Sequence, residues 1–315
     1  EDILYGKPYG VDDAKEGYFS KKHVTQSQYG LADADLCSDL WSGLDFTILK
    51  MEVKTVDDFK RKLLDCREVI NTDTRPQDCF SFTFIGHGYT EEKTEFIELD
   101  GYNDKDNESS SIIMSYKREE NSDDSNNIEN GEQPIVDDIG SMSSVSMNYV
   151  RVGFPVRLIY EMFTPQLCPK LLGIPKLFYI QACRGDKIDT PLHIIDDNYQ
   201  MCSHETAGRA FIANPLSDNQ INLKAETVAS YSDLYVFCSS FSGYFSYFSR
   251  RKGKSFFIEE ICNIYKKYHK KQSLSEMNIK VKDKISKINI RVGVSDEKQI
   301  PTISVDTMTK ILKFK

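Results

Sequence analysis

The run Ile174-Pro-Lys-Leu-Phe-Tyr-Ile-Gln-Ala-Cys-Arg-Gly185 limits what this chain can fold into more than any other stretch. Leu177, Phe178, Tyr179 and Ile180 are all apolar with no polar residue between them, the pattern of a strand buried on both faces. The run stops abruptly at Cys183, which therefore sits just past a strand end. In an open α/β sheet ligands bind there, because loops and helix N-termini converge and leave backbone N–H groups free. A thiol with an ordinary pKa of about 8.5 is mostly protonated at neutral pH, so a reactive cysteine needs a histidine to take its proton. The chain has five histidines. Only His87 follows a comparable strand pattern, Cys79-Phe-Ser-Phe-Thr-Phe-Ile-Gly86, and it stands between Gly86 and Gly88. Such a turn lets the backbone approach a substrate closely.

Around these two strands the pattern alternates helix and strand. A helix is expected over Asp33–Trp41 and a strand over Phe46–Val53. Thr55 then caps a helix with Phe59, Leu63, Leu64 and Val69 facing inward. Phe96–Leu99 reads as an outlying hairpin strand, and Pro155–Phe163 as a helix opened by proline. Asp233–Ser239 is a second doubly buried strand. Helices follow over Ser255–Lys267 and Ser275–Ile288, then strands over Gln299–Val305 and Thr309–Phe314. Asp2–Tyr9 is a short first strand limited by Pro8. The fold class is α/β: one mainly parallel central sheet covered by helices on both faces. Gly101–Asn148 is a run of Asp, Glu, Asn and Ser too polar to offset its own ordering entropy, and is expected to be a disordered loop insertion.

The Gln-Ala-Cys-Arg-Gly segment with an upstream Gly-His-Gly resembles the caspase family. The histidine there precedes the cysteine by ~50 residues. Here the gap is about twice that, and removing Gly101–Asn148 approximately restores the spacing. The resemblance implies a large-subunit-like region over 1–185, an intersubunit linker over 186–228 cut during activation, and a small-subunit-like region over 229–315. It implies a Cys-His cysteine endopeptidase acting on proteins or peptides in cell death or related signalling. Cys183 would be the nucleophile and His87 the acid/base, with Gly88 N–H and Cys183 N–H forming the oxyanion hole. It also implies a homodimer, or a heterodimer with another caspase, formed along the sheet edge near the C-terminal strand.

Members of the family grip a substrate aspartate with two arginines and a glutamine, through paired charge-assisted hydrogen bonds. The glutamine is present as Gln181. Ser27 and Phe248 stand where the arginines are expected, beside Ser246, and only Arg250 and Arg251 lie close enough in sequence to replace them. Burying an unpaired carboxylate costs several kcal/mol, so aspartate specificity is doubtful. The alternative is a catalytically impaired homologue that regulates an active caspase by pairing with it or binding its partners.

Composition bounds the rest. The chain has 315 residues, 40% hydrophobic, with a formal net charge of −8, which gives no electrostatic case for nucleic acid or an anionic membrane as a partner, although Arg250–Lys287 is locally basic. No apolar run approaches the ~18 residues of a membrane span. The eight cysteines are scattered without a Cys-x-x-Cys pair, as free thiols of a reducing compartment, and a cytoplasmic location is expected. Cys202-Ser-His204 has no second pair in reach, so no metal or other cofactor is expected.

Overall fold

A computed structural model describes residues 3–5, 26–74, 77–100, 110–118, 152–191, 229–249 and 252–314. In chain order the elements are β1 (Ile3–Tyr5), α1 (Gln26–Ser42), β2 (Phe46–Val53), α2 (Val56–Thr72), β3 (Gln77–Ile85), β4 (His87–Glu91), β5 (Thr94–Asp100) and β6 (Ser110–Arg118). There follow β7 (Val152–Pro155), α3 (Val156–Glu161), β8 (Lys176–Gln181), β9 (Leu234–Cys238), β10 (Tyr247–Ser249), β11 (Lys254–Ser255), α4 (Phe256–Tyr268) and α5 (Leu274–Ser286). The described chain closes with β12 (Ile290–Val292), β13 (Ser295–Glu297) and β14 (Thr302–Asp306).

Six strands form the central sheet in the order β14-β9-β8-β3-β6-β2. It is mixed and mostly parallel: β2, β3, β8 and β9 run one way, and β6 and β14 run against them. The doubly buried pattern of β8 is observed, since all its residues are buried. Alternate side chains serve two cores, as strand geometry requires. Leu177 and Tyr179 join the layer of α1, α4 and α5, while Phe178 and Ile180 join the layer of α2 and α3.

Local chemistry sets the helix starts. Thr55 Oγ1 accepts from Asp58 N–H at 3.1 Å, so Thr55→Ala should cost about 1 kcal/mol, read as a lower urea midpoint at unchanged slope. Ser255 caps α4, and Ser273 with Glu276 forms a reciprocal capping box on α5. On α2 the inward stripe is Phe59, Leu63, Cys66 and Ile70. Leu64 and Val69 are exposed instead, because a 3.6-residue period counted from Phe59 passes them by.

Three expectations are corrected. The polar insertion is not wholly a loop, because Ser110–Arg118 forms β6, pairing with β2 and β3 along eight register positions each. Ile112, Ile113 and Met114 are fully buried there, an apolar core hidden by the polar average around it. Residues 101–109 and 119–148 of the insertion lie outside the described residues. The first strand covers only Ile3–Tyr5 of the expected Asp2–Tyr9, and it pairs with β10 in a separate small sheet. Thr309–Phe314 is not a strand, although Phe314 is buried against Trp41 and Tyr265.

Candidate active site

The parallel register of β3 and β8 brings the two candidate catalytic residues to one end of the sheet. Ile85 is opposite Gln181, and Gly86 N–H donates to Gln181 O at 3.0 Å. His87 and Cys183 each lie two residues past that pair. Gly88 closes the approach: a Cβ there would stand 2.5 Å from the Cys183 carbonyl oxygen, 2.9 Å from Phe96 O and 3.0 Å from Ala182 Cβ. Only glycine allows β4 to come this near.

The β4–β5 hairpin orients the Gly88 amide. Its two-residue loop, Glu92-Lys93, has φ of 47° and 69°, and Glu91 faces Thr94. Positive φ at both loop residues belongs to a tight hairpin turn, and the pair flanking such a turn is hydrogen-bonded. Counting back with the antiparallel alternation, Gly88 opposite Ile97 falls in a pair without cross-strand bonds. Its N–H therefore points away from β5.

Cys183 is half-buried, and its Sγ meets the backbone of Ser246, accepting from Ser246 N–H at 3.4 Å and donating to Ser246 O at 3.6 Å. Gln181 Nε2 donates to Ser246 Oγ at 3.0 Å. Gln299 adds a further polar group: its Nε2 donates to Ser239 O at 2.7 Å and its Oε1 accepts from Tyr247 N–H at 3.0 Å. Gln181, Cys183 and Ser246 thus come together. Phe248 is buried in the core layer of α1 and α4, because its strand β10 pairs it with Ser255 at the start of α4. Ser27 lies in the first turn of α1. Arg250 and Arg251, with Cys202 and His204, lie outside the described residues.

Arg184 has a role that the sequence did not reveal. Its guanidinium is buried and bonds Glu95 through Nε at 3.0 Å and Nη2 at 2.6 Å, Ser240 O and Thr302 Oγ1 through Nη1 at 2.8 Å, and Ser304 Oγ through Nη2 at 2.9 Å. A planar donor fork suits this convergence of one carboxylate and several oxygens. It ties the residue after Cys183 to β5, the turn after β9 and β14. Beyond it, Lys187 N–H bonds Gly243 O at 2.9 Å and Lys298 N–H bonds Asp189 O at 2.8 Å, so the start of the expected linker is held on both sides. Of the linker's aspartates, the carboxylates at which another caspase would cut during activation, Asp186 and Asp189 lie in this held segment, while Asp196, Asp197 and Asp218 are outside the described residues. A cavity of about 140 Å³ lies here, lined by Asp189, Phe241, Tyr244, Phe245 and Gln299 among others. No described helix is long and apolar enough to cross a membrane.

A family model described as the caspase domain matches residues 129–313, more than half the chain. The chain belongs to the caspase family. The matched segment contains Cys183 and begins after His87. Among curated caspases, this one is 30% identical over 166 residues to caspase-6 of Gallus gallus, across 50% of either chain. It is 30% identical over 156 residues to caspase-3 of Mesocricetus auratus, across 48% of either chain. The chain therefore spans about half the length of the curated relatives it matches. The crystal structure of caspase-1 from Spodoptera frugiperda is similar with a TM-score of 0.59 at 16% identity, covering 90% of this chain and 80% of that one, which establishes the caspase fold.

Proposed function

We propose that this caspase-family chain is a cysteine endopeptidase acting on proteins or peptides. The observation that carries the reading is the β3–β8 register with Gly88 packed on the Cys183 carbonyl. Cys183 as thiolate attacks the scissile carbonyl, and His87, having taken the thiol proton, gives it to the departing amine as the C–N bond breaks. Water then attacks the thioester with His87 as base, releasing the acid and restoring the thiol. The N–H groups of Gly88 and Cys183 stabilise the oxyanion in both steps.

The primary pocket is read as neutral. Gln181, Ser246 and Gln299 bond one another there, with Phe248 turned into the core. A carboxylate entering such a pocket has amides and a hydroxyl to meet but no cation from those positions, so cleavage after uncharged residues is expected. By the family's example we further propose a dimer, a zymogen cut between residues 186 and 228, and a place in cell-death signalling. A second reading, an inactive homologue that regulates an active caspase, draws on the same missing arginines.

A cleavage profile over a peptide library, with Cys183→Ala as the blank, tests both. Turnover restricted to the wild type and centred on uncharged residues supports the peptidase. A profile dominated by aspartate would overturn the pocket reading. No turnover, and no labelling of Cys183 by a cysteine-directed peptide electrophile, would favour the regulatory homologue.

A further inference from the structure

The whole chain is acidic, but residues 252–288 carry ten lysines against four acids. Those four acids are already engaged: Glu259 with Lys252, Glu260 with Lys284, Asp283 with Lys287, and Glu276 in its capping box. Among the described residues, Lys266, Lys267, Lys270, Lys271, Lys280 and Lys313 are in no ion pair. α4 and α5 bury Ile261, Ile264, Met277 and Val281 in the core, which leaves the lysines on their outer faces. Lys267 Nζ and Lys280 Nζ stand over the Tyr268 ring at 5.0 and 5.1 Å from its centre. Glu276 is held below the usual carboxylate range by its Ser273 bonds, with Lys313 and Lys280 adding to this, so Lys313 lies beside α5.

The closing segment joins the same face. Leu274 N–H donates to Leu312 O at 2.9 Å, Phe314 turns inward, and Ile311 and Lys313 turn outward. Ile311 is 82% exposed, and Ile279, one turn beyond Glu276, is 61% exposed. The two exposed isoleucines thus stand on the same two segments, α5 and the closing segment, that carry Lys280 and Lys313.

We propose that the face formed by α4, α5 and residues 311–313 docks on an anionic lipid bilayer. Lysine ammonium groups would meet lipid headgroups, while Ile279 and Ile311 insert below them. The net charge of −8 does not oppose this, because screening limits each charge to about 8–10 Å. Nucleic acid is the weaker occupant, since it would leave both isoleucines uncovered.

The test is co-sedimentation of the full chain with vesicles of phosphatidylcholine alone, or with phosphatidylserine at about a third of the lipid. Binding to the anionic vesicles only, lost at high salt, is expected. Lys267→Ala with Lys280→Ala and Lys313→Ala should weaken it on the order of a hundredfold, at roughly fivefold per lysine. Ile279→Ser with Ile311→Ser should weaken vesicle binding while leaving binding to heparin unchanged. Unaltered melting temperatures would confirm that both variants fold. Failure to sediment with anionic vesicles overturns the proposal. So does vesicle binding indifferent to the isoleucines, which would mark the face as a general polyanion surface.

Discussion

Gly88→Ala should lower kcat/KM by about 10²–10³, the usual cost of one lost oxyanion donor, while the protein stays folded. The new Cβ would be pressed against Cys183 O, Phe96 O and Ala182 Cβ, at 2.5, 2.9 and 3.0 Å. Two of these three are backbone oxygens held in place, so no flexible side chain can give way. Either β4 or the Cys183 loop must shift, and the amide proposed as an oxyanion donor shifts with it. Gly30→Ala is the control, since nothing lies within 4 Å of a Cβ there. Gly30 is inside α1, and alanine should stabilise it by about 0.5–1 kcal/mol without touching turnover. Both variants would be assayed on the best peptide from the library. A Gly88→Ala enzyme as fast as the wild type would remove Gly88 from the mechanism.

The second large effect is on stability against pH. Asp33 is fully buried in α1, and both its carboxyl oxygens accept from Ser255 N–H, at 3.1 and 3.0 Å, where α4 begins. Burial pushes its pKa up to about 8, only partly offset by the Ser255 bonds. An unfolded aspartate ionises near 3.9. Between those values the unfolded chain binds fewer protons than the folded one, so stability falls as pH rises from about 4 to about 8. The slope is roughly 1.4 kcal/mol per pH unit, and the full penalty, on the order of 5 kcal/mol, is reached above pH 8. An asparagine side chain in place of Asp33 keeps an acceptor for Ser255 N–H and has nothing to ionise. Asp33→Asn should therefore match the wild type near pH 4 and exceed it by several kcal/mol near pH 9, in urea titrations at each pH. A variant less stable at every pH would show that the carboxylate is charged and held by its hydrogen bonds.

The sequence spoke clearly where one physical signal dominated. β8 and β9 are doubly buried strands because an unbroken apolar run has no other use at that length, and α4 lies where its apolar spacing placed it, while α5 begins at Leu274 behind its Ser273 cap and ends at Ser286, short of the expected Ile288. Cys183 and His87 were legible as strand-end residues, and the parallel register explains why two positions so distant in the chain share one sheet end. β6 was missed because three buried residues, Ile112 to Met114, sit inside a long acidic stretch whose average hides them. Arg184 stood in the Gln-Ala-Cys-Arg-Gly segment and Gln299 at the start of an expected strand, but partners as remote as Glu95, Ser304 and Ser239 cannot be read from local pattern. Asp33 had no signal either, since nothing near it in sequence announces the Ser255 amide it accepts from.

The strand β6 gives the molecule an unusual construction. Two complete ladders hold it, one on each flank. A nick in the polar stretches on either side would leave this strand seated like a dowel between two planks. Cutting the whole stretch out would instead open a gap one strand wide between β3 and the edge strand β2.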